Sequence, residues 1–454
     1  MASGLTSSGS ELPAAASDVV ARGGEEASAV RRAPFATNPQ VGARGQRTQQ
    51  RILEAALQVF GEEGFYRCSI DRIAERAGCS RASFYQYFSG KEDVFQHLSG
   101  QVARQLSASS EALDLLRPDA AGWETIRAWV ARHAEIYRRY EPAFRQYPAA
   151  AESDETVATG SLRWQQRNVA RIHSRLVTTT LPPRQLDPVI TLLLESMTRA
   201  DDMAGIVRSA LPDAFPEDRV VDAMTDVIHR SLFGLDRDIN VHPPASHRPA
   251  VLHFDPVTRE AFRRGESVDE LSRASRQTLD ALMASGRDAF VRLGYHQARV
   301  DDVVEAAGVS HGAFYRYFTN KDHMARMLTA NAMQTVFVVL SEIPTDAAHR
   351  GASGRAALRR WLRRYNATQS HEAAILQVWV DAALQDAATR SSSAPALDWG
   401  RRQLAEFLEP RGFGDVDTEA LVLLGVLTAF GSRPRTPVQV DAAAHIIQQG
   451  FLGL

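Results

Sequence analysis

The chain contains the same residue pattern twice, and this duplication limits its fold more than any other feature. A stretch that begins at Ala77 returns at Ala307, at a constant offset of 230 positions. The shared residues are Ala77, Gly78, Ser80, Phe84, Tyr85, Tyr87, Phe88 and Lys91 in the first copy, and Ala307, Gly308, Ser310, Phe314, Tyr315, Tyr317, Phe318 and Lys321 in the second. Because both copies carry the whole set, the chain consists of two related units.

The ends of the two units match as well, and the pattern between them is helical. Val221, Asp222, Ala223, Gly234 and Leu235 return as Val440, Asp441, Ala442, Gly453 and Leu454, at an offset of 219 positions. A chain of 454 residues is too long for one hydrophobic core and suits several domains, which the duplication groups into two units of similar size. Apolar residues recur at helical spacing, and alternation typical of strands is absent. We therefore predict an all-α fold.

Each unit opens with two short helices joined by a tight turn. Ser69 and Ser80 are the predicted N-caps of helices that start at Ile70 and Arg81. Gly78 lies between the helices and suits the turn, because helices that cross steeply within a few residues favour glycine there. The second copy repeats this arrangement, so both units are predicted to carry a helix-turn-helix.

The second short helix of each pair has an apolar face and a polar face. Phe84 and Phe88 are four positions apart and share one face, which we expect in the core. The other side chains point outward and suit duplex DNA, since Arg and Gln bond base edges while Lys and Tyr contact phosphates. The predicted DNA-binding residues are Ser69, Ser80, Arg81, Ala82, Ser83, Tyr85, Gln86, Lys91, Arg299, Ser310, His311, Gly312, Ala313, Tyr315, Arg316 and Lys321.

Composition and turns divide the chain into six segments. Residues 1–44 lack apolar periodicity, which is typical of a disordered tail, and the prolines after Leu235 indicate a linker. The predicted segments are a tail (1–44), the first helix-turn-helix domain (45–95), the first bundle (96–235), the linker (236–269), the second helix-turn-helix domain (270–325) and the second bundle (326–454).

The repeated segment resembles the tetracycline-repressor (TetR) family of transcriptional regulators. The resemblance lies in Phe60-x-x-x-Gly64-Phe65, then Ile73-Ala74-x-x-Ala77-Gly78-x-Ser80, then Phe84-Tyr85-x-Tyr87-Phe88-x-x-Lys91, and it returns in the second unit. It implies a DNA-binding three-helix domain followed by a helical bundle that dimerises and often binds a small ligand. It also implies a cytoplasmic, nucleoid-associated bacterial protein. The tandem arrangement departs from the family, whose members normally carry one unit.

The resemblance implies a sequence-specific regulator, most simply a repressor released by a small apolar or amphipathic effector. The candidate effector-pocket residues are Trp129, Phe144, Trp164, Trp361, Trp379 and Trp399, although aromatic residues on helices more often pack the core. The chain has no glycine-rich phosphate loop, no nucleophile elbow and no run of metal ligands. We therefore predict no enzymatic activity, no cofactor and no metal. No apolar run is long enough for a membrane span.

Charge keeps an alternative open. The net charge is −2, and residues 44–95 carry eight Arg or Lys against seven acids, so DNA affinity must come from where charges lie. The alternative is a helical ligand-binding or scaffold protein in which one or both helix-turn-helix segments are inactive toward DNA.

The duplication also predicts how the units pair. The last two helices of each unit, at about 186–208 with 218–235 and at about 417–430 with 438–454, are rich in apolar residues. Paired together, they would form a dimer-like reader within one chain, with a homodimer as the other possibility. Since the two recognition helices differ, the expected DNA site is an imperfect palindrome.

Overall fold

The computed structural model describes residues 43–65, 67–153, 155–240, 248–254, 272–348, 351–385 and 387–454. These residues form seventeen α-helices, and the only β-type pairing among them is an isolated parallel bridge between Leu116 and Leu176. The predicted all-α fold is confirmed. Within this part of the chain no helix is both long and apolar enough to cross a membrane. The predicted tail lies outside the described residues, apart from its last two positions.

The described part of unit one contains nine helices. The first begins at Ala43 and ends before Gly64, whose φ of 76° closes it. The helices are α1 (Ala43–Glu63), α2 (Ile70–Arg76), α3 (Arg81–Tyr87), α4 (Lys91–Glu111), α5 (Ala120–Ser153), α6 (Glu155–Arg175), α7 (Pro183–Ala210), α8 (Glu217–Phe233) and the single turn α9 (Arg237–Asn240).

Unit two repeats this order in eight helices. They are α10 (Arg273–Gln297), α11 (Val300–Ala307), α12 (His311–Tyr317), α13 (Lys321–Ser341), α14 (Ala352–Gln385), α15 (Ala387–Leu408), α16 (Val416–Gly431) and α17 (Pro437–His445), which continues as a π-helix over Ile446–Phe451. Helical backbone in α10 breaks at Gly294, whose φ is 73°, so this glycine ends the first helix of the unit.

The helix-turn-helix domains have separate cores that extend into the bundles. In unit one the buried residues of α1 to α4 form one cluster with Ile136 and Tyr140 of α5. In unit two the equivalent cluster of α10 to α13 includes Ile375 of α14. Each long bundle helix therefore holds the adjacent DNA-binding domain in place.

A third and larger core joins the two units. Its buried residues include those of α7 and α8 of unit one and of α16 and α17 of unit two, with further contributions from the other bundle helices. The main helix pair across the boundary is α7 against α16, and α8 packs against the π-helical end of α17. The two bundles therefore share one continuous interior through the four helices that the repeat predicts as a pairing surface.

Candidate nucleic-acid interface

The turn in unit one has the geometry that its residues predict. The Ser80 hydroxyl accepts a hydrogen bond from the Ser83 amide at 3.1 Å, and the Ser69 hydroxyl accepts from the Arg72 amide at 3.2 Å. Gly78 adopts a left-handed conformation with φ of 64°. The caps and this turn fix the start of α3 relative to α2, so the outward residues of α3 are presented by rigid backbone.

The turn in unit two repeats these contacts. The Ser310 hydroxyl accepts from the Ala313 amide at 3.2 Å, and Gly308 is left-handed with φ of 65°. Arg299 occupies the N-cap position of α11, and its amide donates to Asp302 Oδ2 at 2.7 Å. An acid from the first turn of α11 therefore satisfies an amide at this helix start.

Paired phenylalanines anchor each recognition helix. Phe84 and Phe88 are fully buried in unit one, and Phe314 and Phe318 are almost fully buried in unit two. The ring centroids lie 5.9 Å apart in the first pair and 5.3 Å apart in the second. Because both anchors fill the core, the opposite face of each short helix is left at the surface.

The outward face of α3 combines positive charge with neutral polar groups. Arg81, Ala82 and Gln86 are exposed, while Ser83 and Tyr85 are partly exposed. Arg81 Nη1 lies 3.1 Å from Asp71 Oδ2, and its guanidinium carbon lies 5.8 Å from the centroid of the Tyr85 ring.

The outward face of α12 has a different chemistry. His311, Gly312, Tyr315 and Arg316 are exposed, and Ala313 is partly exposed. His311 Nε2 lies 2.6 Å from Asp301 Oδ1, which repeats the Arg81–Asp71 pair at equivalent positions. Sequence reasoning missed both acids, although their recurrence at the 230-residue offset was a readable signal.

The lysines that begin α4 and α13 tie each domain together. Lys91 Nζ donates to the Phe65 carbonyl at 2.9 Å and lies 4.9 Å from the Phe65 ring centroid. Lys321 Nζ donates to the carbonyls of Tyr295 and Ala298, at 2.7 and 3.0 Å. Burial lowers the pKa of Lys321. These structural bonds were not predicted, and the third ammonium proton of Lys321 is compatible with a phosphate contact.

Ion pairing explains how a near-neutral domain can present a positive face. Arg72 bonds Glu63 and Glu75 at 2.9 Å, which occupies acids on α1 and α2. Arg76 pairs with Glu62 at 2.7 Å, and this bond lowers the pKa of the Glu62 carboxyl. Further exposed cations of the helix-turn-helix domains include Arg44, Arg47 and Arg51 on α1 and Arg316 on α12.

Comparison with known proteins identifies the two domains. Residues 52–98 and residues 282–328 each match the family described as bacterial regulatory proteins, tetR family. Both helix-turn-helix domains therefore belong to the TetR family. The chain carries two tandem TetR-type DNA-binding domains, as the repeat predicts.

Individual relatives match over segments shorter than one unit. The chain is 30% identical over 117 residues to the HTH-type transcriptional repressor AcnR of Corynebacterium diphtheriae, which is 25% of this chain and 59% of AcnR. It is 43% identical over 54 residues to the regulator SrpR of Pseudomonas putida, covering 12% of this chain and 25% of SrpR. It is 31% identical over 96 residues to the regulator RutR of Escherichia coli, covering 21% and 44%. The chain thus spans less than two thirds of each of these relatives.

One similar solved structure is the TetR-family regulator PfmR of Thermus thermophilus. It is 23% identical, has a TM-score of 0.33, and the match covers 40% of this chain and 97% of PfmR.

The structure distributes the candidate effector-pocket residues over separate places. Trp129, Trp361 and Trp399 pack in or against the shared core, whereas Phe144 and Trp164 pack against the core of the first helix-turn-helix domain. Trp361 Nε1 donates to the Val339 carbonyl at 2.8 Å, and the Trp399 ring lies 4.3 Å from that of Phe337. Trp379 lies on α14, and its side chain is outside the described part. The described aromatics therefore do not converge on one pocket.

An open groove of about 540 Å³ lies elsewhere, between α13 and α14 of unit two. It is lined by Asn331, Gln334, Thr335, Val338, Val339, Arg364 and Thr368. The lining combines amides, hydroxyls and a guanidinium with two valines. Trp361 contacts this lining, because its Nε1 donates to the Val339 carbonyl. Sequence reasoning missed this groove because its residues carry no recognisable motif.

Proposed function

We propose that this chain is a sequence-specific DNA-binding transcriptional regulator that reads an imperfect palindrome with one molecule. The observation that carries the proposal is the recognition helix of each unit, held by a buried phenylalanine pair with its polar face outward. An α-helix of this kind fits the major groove of B-DNA. AcnR, SrpR and RutR, to which segments of this chain are similar, are named as transcriptional regulators.

The shared core supports reading by a single molecule. Dimeric helix-turn-helix proteins place two recognition helices about 34 Å apart, one turn of DNA. Here α7 and α8 already pack on α16 and α17 within one chain, so the second unit takes the place of a second subunit. Because α3 offers Arg81 and Gln86 where α12 offers His311 and Arg316, the two half-sites differ in sequence.

DNA selection tests the reading of both half-sites. Full-length protein is used to select bound duplexes from a random pool, and the mass of the complex is measured by light scattering. The expected result is one protein molecule on an imperfect palindrome. The double variant Tyr85→Ala with Tyr315→Ala should lose this binding, whereas Leu162→Ala, at an exposed position of α6, should retain it. Intact DNA binding by the double tyrosine variant would contradict the proposal.

The competing function is that of a helical scaffold or ligand-binding protein without DNA affinity. The near-neutral charge of the first helix-turn-helix domain favours it. If no duplex sequence is enriched by the full chain at low salt, where phosphate contacts are strongest, the scaffold function replaces the regulator.

We further propose that the protein is a repressor released by a small amphipathic ligand. The groove between α13 and α14 supports this, because Arg364 suits an anionic group while Val338 and Val339 suit an apolar chain. The α14 helix also carries Ile375, which is buried in the core of the second DNA-binding domain. A ligand that favours one position of α14 would thereby shift the second recognition helix.

Tryptophan fluorescence tests the ligand. A panel of apolar compounds and amphipathic carboxylates is titrated into the protein, with and without its selected DNA. A carboxylate should change the fluorescence and weaken DNA binding. Trp361→Phe should remove most of the fluorescence change, and Arg364→Gln should weaken the response to carboxylates alone. A panel without any compound that alters DNA affinity would refute ligand control and leave DNA recognition standing.

A further inference from the structure

A charged cluster is buried where the two units meet. Arg230 of α8 is fully buried, and its Nη2 lies 2.5 Å from Oε2 of Glu419 on α16. Arg411 reaches the same carboxylate oxygen at 2.6 Å, and Arg230 Nε donates to the Gly450 carbonyl at 2.6 Å. The Phe413 ring lies against both guanidiniums, at 5.4 Å from Arg230 and 4.5 Å from Arg411. Unit one supplies a cation here, and unit two supplies the acid.

A second charged contact crosses the boundary with the opposite polarity. Glu195 of α7 pairs with both Arg433 and Arg435, which follow α16. Arg435 Nη2 lies 2.7 Å from Glu195 Oε2 and its side chain is almost fully buried. In a third contact, Arg219 Nη1 lies 2.8 Å from Asp415 Oδ2. Each contact joins a residue of unit one to an opposite charge of unit two.

One close backbone contact also crosses the boundary. A Cβ atom on Gly425 of α16 would lie 2.7 Å from the Ala200 nitrogen and 2.8 Å from the Ala200 Cα on α7. Backbone cannot yield as a flexible side chain does, so α16 approaches α7 this closely only because position 425 is glycine.

The repeat shows what each unit carries at the equivalent positions. The offset of 219 positions relates Arg230 to Gln449. The offset of 230 positions relates Glu419 to Val189 and Gly425 to Glu195. Arg433 and Arg435 correspond to Ala214 and Pro216, while Arg219 and Asp415 correspond to Val438 and Gln185. None of the three charged contacts therefore recurs between the equivalent positions of the two units.

These differences decide which surfaces can pair. A twofold interface between identical copies requires one surface to be complementary to itself. If unit one met a second unit one, Arg230 would face Val189, and Glu195 would occupy the place of Gly425 against the Ala200 backbone. If unit two met a second unit two, Glu195 would be missing opposite the buried Arg435. A buried charge without its partner is strongly destabilising.

We propose that the interface between the units is selective: unit one pairs with unit two and rejects a second copy of itself. The pairing partner is the other half of the same chain, as residues 248–254 indicate. In this segment Arg248 pairs with Glu409, and the Leu252 amide donates to Asp398 Oδ2 at 3.0 Å, so residues 248–254 lie along α15 of unit two. Selective pairing keeps two different DNA-binding domains in one molecule. It also prevents assemblies of identical units, which would bind symmetric DNA sites.

Cutting the connection tests this selectivity in the assembled protein. A protease site is inserted after residue 260 of the full chain, the folded protein is cut, and the pairs are weighed by native mass spectrometry after dilution and long incubation. Pairs of unit one with unit two should make up nearly all of the assemblies. The proposal would be overturned if pairs of unit one with unit one, and of unit two with unit two, formed as often as random association of the halves predicts. Separation into single units would overturn it too, because such an interface would depend on the connection alone.

Gly425 and Gly205 supply a test variant and a matched control for the cut protein. Gly425→Ala should weaken the association of the halves by roughly 10- to 100-fold, the usual result of overpacking a tight contact. Gly205→Ala on α7 is the control, because a Cβ there meets no atom within 4 Å, and its association should match wild type. Equal association of the two variants would contradict the close contact. Neither measurement involves DNA, so pairing and DNA recognition fail or stand independently.

Discussion

The two helix-turn-helix domains have kept the same internal contacts, whereas the two faces that join the units have diverged. Serine caps, left-handed glycines, phenylalanine pairs and lysine-to-carbonyl bonds occur in both domains at matching positions. At the interface, by contrast, Arg230 and Glu195 of unit one correspond to Gln449 and Gly425 of unit two.

The difference teaches what duplication within one chain permits. Each DNA-binding domain must fold around its own core, so its caps, turn and anchors are needed twice. The joining faces meet only each other, so they need mutual rather than self-complementarity. In a homodimer every interface substitution appears on both sides, but in this chain one face can gain a cation while the other gains the acid.

Glu419 offers the strongest way to break the interface. Glu419→Gln removes the carboxylate that two buried guanidiniums share, and we expect a loss of about 3–5 kcal/mol in the free energy of unfolding. Urea denaturation followed by circular dichroism measures it.

The matched control for Glu419→Gln is Glu409→Gln. Glu409 pairs with Arg248 at the surface, where both side chains are more than half exposed, so solvent already screens the pair and stability should hardly change. Equal unfolding free energies for the two variants would show that the buried cluster does not stabilise the interface.

The sequence was sufficient for the helix-turn-helix domains because their signals are local. Ser80, Gly78 and the Phe84–Phe88 pair specify cap, turn and buried face within a few residues, and the structure places each as expected. The helices of the joining surface were also readable, from their apolar character and their place in the repeat. Their boundaries differed by only a few residues, because fraying ends depend on neighbours.

Contacts between distant residues could not be read from the sequence. The pairing of Arg230 with Glu419 joins side chains 189 positions apart, and no motif marks either residue. The carbonyl partner of Lys91 is likewise a backbone atom, which carries no sequence signal. The predicted aromatic pocket followed from composition alone, and the described aromatics pack into separate cores instead of converging.

Variants of the two recognition helices test whether the two DNA-binding domains differ in the bases that they recognise. Arg81→Ala should relax base preference in one half-site only, and Arg316→Ala should do so in the other. A lost bidentate base contact typically weakens discrimination by roughly 5- to 150-fold. Repeating the DNA selection with each variant measures the effect. Simultaneous relaxation of both half-sites by one variant would show that the two domains do not read separate halves.

Variants of Lys91 test whether a lysine that bonds a backbone carbonyl in both domains also contributes to DNA binding. Lys91→Ala should weaken all sequences alike and lower the slope of log affinity against log salt by about one. It should also lower unfolding stability by about 1 kcal/mol, because the Phe65 carbonyl loses a donor. Lys91→Arg should keep most of the salt slope, since it retains the charge. An unchanged slope in Lys91→Ala would restrict this lysine to its structural role.

The smallest expected effect concerns Asp71, the acid that pairs with Arg81 beside the recognition surface. Both side chains are more than half exposed, so water weakens their attraction and Arg81 can turn from Asp71 to DNA with little loss. Asp71→Asn removes a negative charge near the phosphates and should tighten binding to every sequence by a few-fold, with the preferred site unchanged. Asp301→Asn should do the same in unit two, where the carboxylate holds His311.

Salt titration of DNA binding measures this effect, with Glu111→Gln as the control. Glu111 is an exposed acid at the far end of α4, within 3.6 Å of Arg171, so its loss changes net charge equally without altering the recognition surface. Tightening by Asp71→Asn alone would assign the effect to local charge. Equal tightening by both variants would assign it to net charge, and Asp71 would then hold no special position beside DNA.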